Sequence, residues 1–238
     1  MTEEGKKMMH FFRRWGIVVV AIVVSIAIGK FFSHYSYGVL DQNMRDELLS
    51  RAQTIALMTN SADIASLKGT EEDINTPAYH RIKQSLYNLH NVNTGSRFVY
   101  YQRSNGTKLV FLADSEPPTS EDYSPPGQVY EDTSKLEFDN YQTATPFVEG
   151  PYSDEWGRWI SAYAPVWNNG ELAGIVGIDV SADKWQQEAN IFGSMIMLIT
   201  LLAICIAVLI GVHYEHNMHY KDELKKLNEY VLKKEKDC

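Results

Sequence analysis

Two apolar blocks near the ends constrain this chain more than any other feature. Trp15 to Phe32 is apolar apart from Gly16, Ser25, Gly29 and Lys30, and Ile191 to Val212 runs 22 residues without a charge. A helix rises about 1.5 Å per residue, so roughly 18 to 22 residues cover the ~30 Å hydrocarbon core of a bilayer. Lys30 sits near the end of its block, where its ammonium can reach the headgroups. No small-residue cleavage pattern follows, since the block runs on as Lys30-Phe31-Phe32-Ser33-His34-Tyr35. That is the mark of an uncleaved anchor and not of a signal peptide. The expected division is a short N-terminus (1–14), a first span (15–32), a long middle segment (33–190), a second span (191–212) and a tail (213–238).

Orientation follows from basic charge in short loops. Residues 1–14 carry Lys6, Lys7, Arg13 and Arg14 against Glu3 and Glu4, and Lys221, Lys225 and Lys226 lie close behind the second span. The middle segment has 11 basic and 22 acidic residues, a net of 11 − 22 = −11, and is long enough to translocate whatever its charge. Both termini are therefore expected in the cytoplasm and the middle outside. The cysteines agree: Cys205 lies within the second span and Cys238 ends the chain, which leaves the external segment without a thiol. Disulfides and Cys/His metal sites are thus excluded from it. With a net charge of −8 overall, nucleic acid is not the expected partner.

Within the external segment, Leu40, Met44, Leu48, Ala52, Ile55 and Met58 or Thr59 recur at helical spacing and continue directly from the first span. After a loop around Gly69 to Pro77, residues 78–90 form a second helix with Ile82, Leu86 and Leu89 on one face. Two hairpins follow, each announced by Asn-Gly: Arg97–Arg103 with Lys108–Ala113 around Asn105-Gly106, and Trp159–Trp167 with Glu171–Val180 around Asn169-Gly170. Asn105-Gly-Thr is also a glycosylation sequon, but the turn accounts for it. Between the hairpins, residues 114–135 hold Pro117, Pro118, Pro125 and Pro126, half of the 8 prolines, together with Tyr123 and Tyr130. A connection of that length with aromatic side chains reads as a binding lid. The fold class is α+β, with four or five antiparallel strands preceded by helices.

Several runs then resemble one family. Phe98-Val-Tyr-Tyr, Val110-Phe-Leu-Ala-Asp-Ser-Glu-Pro117, Tyr123-Ser-Pro-Pro-Gly-Gln-Val-Tyr130, Glu149-Gly-Pro-Tyr-Ser-Asp-Glu-Trp-Gly157 and Gly174-Ile-Val-Gly-Ile-Asp-Val180 are similar to bacterial Cache domains. These are extracytoplasmic relatives of PAS folds. The resemblance covers about residues 35–190 and is to the single-Cache input region ahead of histidine kinases and diguanylate cyclases. It implies a PAS-like domain, a long N-terminal helix packed on an antiparallel sheet, held between two transmembrane helices in the bacterial cytoplasmic membrane. It also implies a small-molecule ligand, and for Asp179 the role of amine partner that the matching aspartate has in amino-acid-binding relatives. The Arg-x-Trp-Tyr pattern of those relatives is echoed only by Arg158-Trp159-Ile160.

No nucleophile elbow, P-loop, dinucleotide fingerprint or zinc-protease motif occurs, so no catalytic constellation, metal site or cofactor is expected. Asp179 is an acid inside an apolar strand and needs a partner there: a ligand donor, or backbone N–H groups at the strand end. Trp159, Ser161 and Tyr163 share one face of their strand, and Ile160, Ala162 and Ala164 the other. The first set suits a pocket with aromatic walls and a few orienting polar groups. Asp114 after its strand and Tyr130 in the lid complete the candidate wall, while Trp156-Gly157 reads as a turn. His213, His216 and His219 read as interfacial polar residues, and His80 and His90 have no evident partner.

In the tail, His213, Asn217, Tyr220, Leu224, Leu227 and Val231 follow the spacing of a short parallel coiled coil, broken at Lys234. Membrane tethering raises local concentration and favours a homodimer through this seam. The 26 residues after the second span are too few for a kinase or cyclase module. The expected function is a receptor that binds a small ligand outside and passes a conformational signal to a cytoplasmic partner, with no catalysis of its own. The alternatives are an anchored protein-interaction module without a pocket and the input region of a longer kinase or cyclase.

Overall fold

The patterns above appear as five helices and five strands in a computed structural model that describes residues 3–92 and 95–236. Cys238 lies outside the described residues, as do the side chains of Lys6, Lys7, Arg13, Arg14 and Lys234. Residues 1–37 with 191–238 form one unit and residues 38–190 another.

The first unit is helical, made from parts of α1 (Glu3–Met58) and α5 (Ala182–Lys236). Both helices are long and apolar enough to cross a membrane. They meet where small residues allow close approach: a Cβ on Gly29 would stand 2.8 Å from Thr200 Oγ1, and one on Gly193 2.6 Å from Ser33 Oγ. The candidate seam residues Tyr220, Leu224, Leu227 and Val231 are exposed on α5.

In the second unit, the helical stripe on α1 buries Leu48, Ala52 and Ile55, and Met44 packs partly against them. Of the two candidates at its end, Met58 is exposed and Thr59 turns inward, 2.5 Å from the Tyr101 hydroxyl. The expected loop before the second helix contains more structure than the spacing shows. A short α2 (Ser61–Ser66) and a 3-10 turn (Glu71–Asn75) precede α3 (Pro77–Val92). Asp73 organises this stretch by accepting the backbone N–H groups of Lys68, Gly69 and Thr70 on its carboxylate. Such side-chain acceptors replace hydrophobic periodicity as the local signal.

The sheet is antiparallel throughout, in the order β2-β1-β5-β4-β3: β1 (Phe98–Ser104), β2 (Leu109–Asp114), β3 (Phe147–Asp154), β4 (Gly157–Asn168) and β5 (Glu171–Ser181). The two Asn-Gly pairs make different turns. Asn169 and Gly170 both have positive φ, 51° and 85°, the geometry of a tight two-residue hairpin. Asn105 instead accepts the N–H groups of Thr107 and Lys108 on Oδ1, which widens the loop to four residues.

Helices cover one face of the sheet, over Val99, Tyr101, Leu112, Ile160, Ala162, Val176 and Ile178. The other face carries Phe98, Tyr100, Phe111, Trp159, Tyr163 and Ile175. Residues 115–134 are ordered across this side. Gly127 N–H donates to Phe111 O, Phe111 N–H to Gln128 O, and Tyr130 N–H to Leu109 O, so the segment pairs with the free edge of β2. It leads into α4 (Lys135–Thr143), capped at Ser134, whose Oγ accepts Glu137 N–H at 2.9 Å.

Candidate ligand-binding site

The aromatic face gathers five of the six residues singled out from the sequence. Period-two alternation on β4 puts Trp159, Ser161 and Tyr163 beside Asp179, which pairs with Ser161 across β4–β5 and with Phe98 across β1–β5. Tyr130 reaches the same cluster from the segment along β2. Asp114 stands at the rim, its carboxylate engaged by Lys83 Nζ at 2.5 Å and by Ser124 N–H at 2.7 Å.

Asp179 is fully inside and holds neither a cation nor a backbone N–H on its carboxylate among the described contacts. Ser161 Oγ donates to its Oδ1 at 2.6 Å, and the Tyr100 hydroxyl lies 3.1 Å from the same atom. Tyr152 extends the chain, 2.8 Å from Ser161 Oγ and 3.3 Å from the Tyr163 hydroxyl. Burial pushes the Asp179 carboxyl up to about 7, against the two hydroxyl bonds that favour ionisation. The same burial raises Tyr100 and Tyr163 well above the ordinary phenol range, so both remain hydroxyl donors.

One missing side chain makes this geometry possible. Tyr100 sits opposite Gly177, and a Cβ there would stand 2.4 Å from the Tyr100 ring. The bare backbone lets the ring lie across β5 and bring its hydroxyl to Asp179.

A cavity of about 20 Å³ is lined by Asp179, Tyr100, Phe111, Asp114, Tyr130, Asp154 and Trp156, among others, whereas Trp159, Ser161 and Tyr163 are not part of its lining. That volume admits one water molecule and no metabolite. Its ceiling is aromatic: Phe111 meets Tyr130 and Trp156 edge-on at centroid distances of 6.0 and 6.1 Å. Asp154 fastens the ceiling, accepting Trp156 N–H (2.9 Å), Gly157 N–H (3.0 Å), Trp159 Nε1–H (2.8 Å) and the Tyr130 hydroxyl (3.1 Å). Trp156 therefore makes the expected turn and also covers the cavity, a position that reading it as turn packing alone misses.

The largest omission from the sequence reading is Glu137. It is 1% exposed on α4, and burial, with Glu149 and Asp179 nearby, pushes it up to about 8. Its Oε1 has no hydrogen-bond partner among the described residues. Ser134-x-x-Glu137 is a capping-box spacing, the one signal that marks both helix and acid. Tyr100 is also missed, because every position of Phe98-Val-Tyr-Tyr is buried and shows no alternation, as is Tyr152 of β3.

His213 Nε2 lies 2.9 Å from Asn217 Nδ2, and no group of three or more His, Cys, Asp or Glu able to hold a metal exists among the described residues.

No protein-family model matches the sequence, and no curated protein matches it. Solved structures it is similar to include extracellular sensory and ligand-binding domains. One is an extracellular domain assigned to a histidine kinase, mmHK1S-Z2 (20% identity, TM-score 0.44, 69% of this chain and 62% of that one). The sensory domain of the Campylobacter jejuni chemoreceptor Tlp3 with isoleucine bound follows (19%, 0.41, 71% and 65%). An extracellular ligand-binding receptor from Desulfohalobium retbaense gives 14%, 0.44, 65% and 26%. The chain thus spans less than two thirds of each of these neighbours.

Proposed function

We propose that this chain is a membrane receptor whose Cache-like domain, residues 33–190, binds a small molecule outside the bacterial cytoplasmic membrane on the aromatic face of its sheet. The observation that carries the reading is Asp179, a buried carboxylate oriented by hydroxyls, facing an aromatic-walled cavity and lacking a positive partner. Buried charges are ordinarily paired, and a site that leaves one unpaired in a concave aromatic setting has the composition of a ligand pocket. In this reading both termini are cytoplasmic, with spans at 15–32 and 191–212. A ligand enters by displacing the Trp156–Tyr130 ceiling. The two states then differ in how the sheet and its cover meet α1 and α5, and the ligand biases them by its affinity difference. Homodimerisation through the seam on α5 passes that bias to a cytoplasmic partner.

The 20 Å³ cavity favours a second reading, a membrane-anchored interaction module whose interior is simply filled. A thermal-shift screen of the full chain in lipid nanodiscs against amino acids, amines, carboxylates and divalent ions separates the two. A ligand that binds only the folded state raises the melting temperature by mass action. The receptor reading expects such a ligand, with the shift lost in Asp179→Ala. No shift from folded protein leaves the interaction module.

A further inference from the structure

The cover over the aromatic face is an acidic strap held by bases from elsewhere in the chain. Residues 115–134 carry Glu116, Glu121, Asp122, Glu131 and Asp132 and no lysine, arginine or histidine. Arg97, ahead of β1, donates to Glu116 at 2.6 Å and also to Asp122, and Lys108 in the first hairpin loop donates to Glu131. Both bases are well exposed, at 39% and 42%, so water and salt weaken those pairs. Lys83 of α3 differs. Its side chain is 18% exposed and that of Asp114 5%, at the point where β2 ends and the cover begins. Besides Asp114 Oδ1, its ammonium donates to Asp114 O at 2.9 Å and to Glu116 O, and it lies 4.5 Å from the centre of the Tyr123 ring. The Tyr79 hydroxyl, one helical turn before Lys83, lies 2.9 Å from the Tyr123 hydroxyl. The least exposed ionic anchor of the cover therefore stands on a helix that packs on the other face of the sheet, through Ala78, Tyr79, Ile82 and Leu86.

At its far end α3 has room to move. A groove of about 740 Å³ lies beside Val92, bounded by Met44 and Leu48 of α1, Val180 of β5, and Lys184 and Trp185 of α5. A close-packed interior does not let an element slide, whereas a helix end beside unfilled space has a second position available. We propose that Lys83 is the positioning residue that ties the cover to α3, and that α3 passes a shift of the cover to the roots of α1 and α5 across this groove. The proposal rests on the receptor reading and supplies its route. Asp114, Asp122 and Ser124 line the small cavity, so a molecule entering there displaces the stretch that Lys83, Arg97 and Tyr79 hold. Because the Lys83 ammonium grips two backbone carbonyls as well as a carboxylate, it follows the main chain of the cover and not one side chain alone. Movement of Val92 into or out of the groove alters the packing between α1 and the first turns of α5, the segments that lead to the expected spans.

Amide hydrogen exchange of the full chain in nanodiscs tests this without a ligand. Lys83→Met keeps the alkyl stem and removes the charge. Amides of residues 115–124 are expected to exchange about tenfold or more faster, those of residues 86–92 to change by about threefold or more, and those of β4 and β5 to stay within about twofold of wild type. Lys83→Arg, which keeps a cation for Asp114, is expected to restore most of the protection. Tyr79→Phe removes only a hydroxyl and gives a smaller change in the same two segments, and it carries the test if Lys83→Met does not fold. An unchanged cover overturns the tie, and a faster cover with α3 unchanged overturns the transmission. Equal acceleration of all five strands overturns both and reduces Lys83 to a stabilising contact. None of these outcomes depends on a ligand, so the thermal-shift screen judges the receptor reading separately.

Discussion

On the helix-covered face of the sheet the buried side chains are chiefly aliphatic, with Tyr101 the one large aromatic, whereas the opposite face, across the same strands, is built from phenylalanine, tyrosine and tryptophan around hydroxyls and unpaired acids. Strand backbones are common to both, so the difference lies entirely in what alternates along them. The first face has shape to complement and little beyond the Tyr101 hydroxyl to satisfy, which suits stability. The second carries groups whose burial costs free energy unless something completes them. The proposed site thus falls where the packing is least self-sufficient.

The comparison is broken most strongly from the stable side. Leu86→Ala on α3, at a fully buried position, is expected to destabilise the domain by about 2–5 kcal/mol in urea unfolding. Its dependence on pH should match wild type, because no titrating group changes.

From the other side, the expected effect is a pH slope. Asp179 and Glu137 are both acids raised on folding, from 3.8 to about 7 and from 4.5 to about 8. Below the lower values both folded and unfolded chains hold the protons. Between them the folded domain keeps protons that the unfolded chain has lost, so stability falls as pH rises and levels off above about 8. The fall is on the order of a few kcal/mol for each acid. Melting across pH 4 to 9 should show it, with Asp179→Asn removing the part that ends near 7 and the double variant with Glu137→Gln removing most of it. A flat wild-type profile would contradict the burial of both acids.

Gly177→Ala sharpens the contrast, since its Cβ enters the Tyr100 ring. Overpacking of this kind costs about 1–3 kcal/mol and should also displace the Tyr100 hydroxyl, visible as a change in the pH profile that Leu86→Ala lacks. The smallest effect is Tyr101→Phe on the aliphatic face, which removes the hydroxyl contact with Thr59. It is expected to cost about 0.5–1.5 kcal/mol with no change in pH slope.

Much of this division was legible in the residues. Alternation on β4 separates Trp159, Ser161 and Tyr163 from Ile160, Ala162 and Ala164, and the structure keeps them on opposite faces. The acid in the apolar run of β5 announces itself by standing alone. What was illegible is what long-range pairing decides. Lys83 occupies Asp114 from a helix 31 positions away, and no local pattern foretells that. The first Asn-Gly could not reveal its turn type, because the Asn105 side chain competes with the hairpin geometry for the same N–H groups. Nor was α4 visible through hydrophobic period, since Leu136 is exposed while Glu137 is buried.

The segment that pairs with β2 gives the cover an unusual mechanical linkage. Tyr130, whose ring helps close the cavity, is also the residue whose N–H bonds Leu109 O, and its neighbours hold both backbone groups of Phe111. Swinging that ring outward by the backbone would unzip a strip of sheet and leave the β2 edge open to pairing with another extended chain. On the receptor reading, admission of a ligand and exposure of a sheet margin are one event, and amide hydrogen exchange at Phe111, Gly127 and Tyr130 would time it.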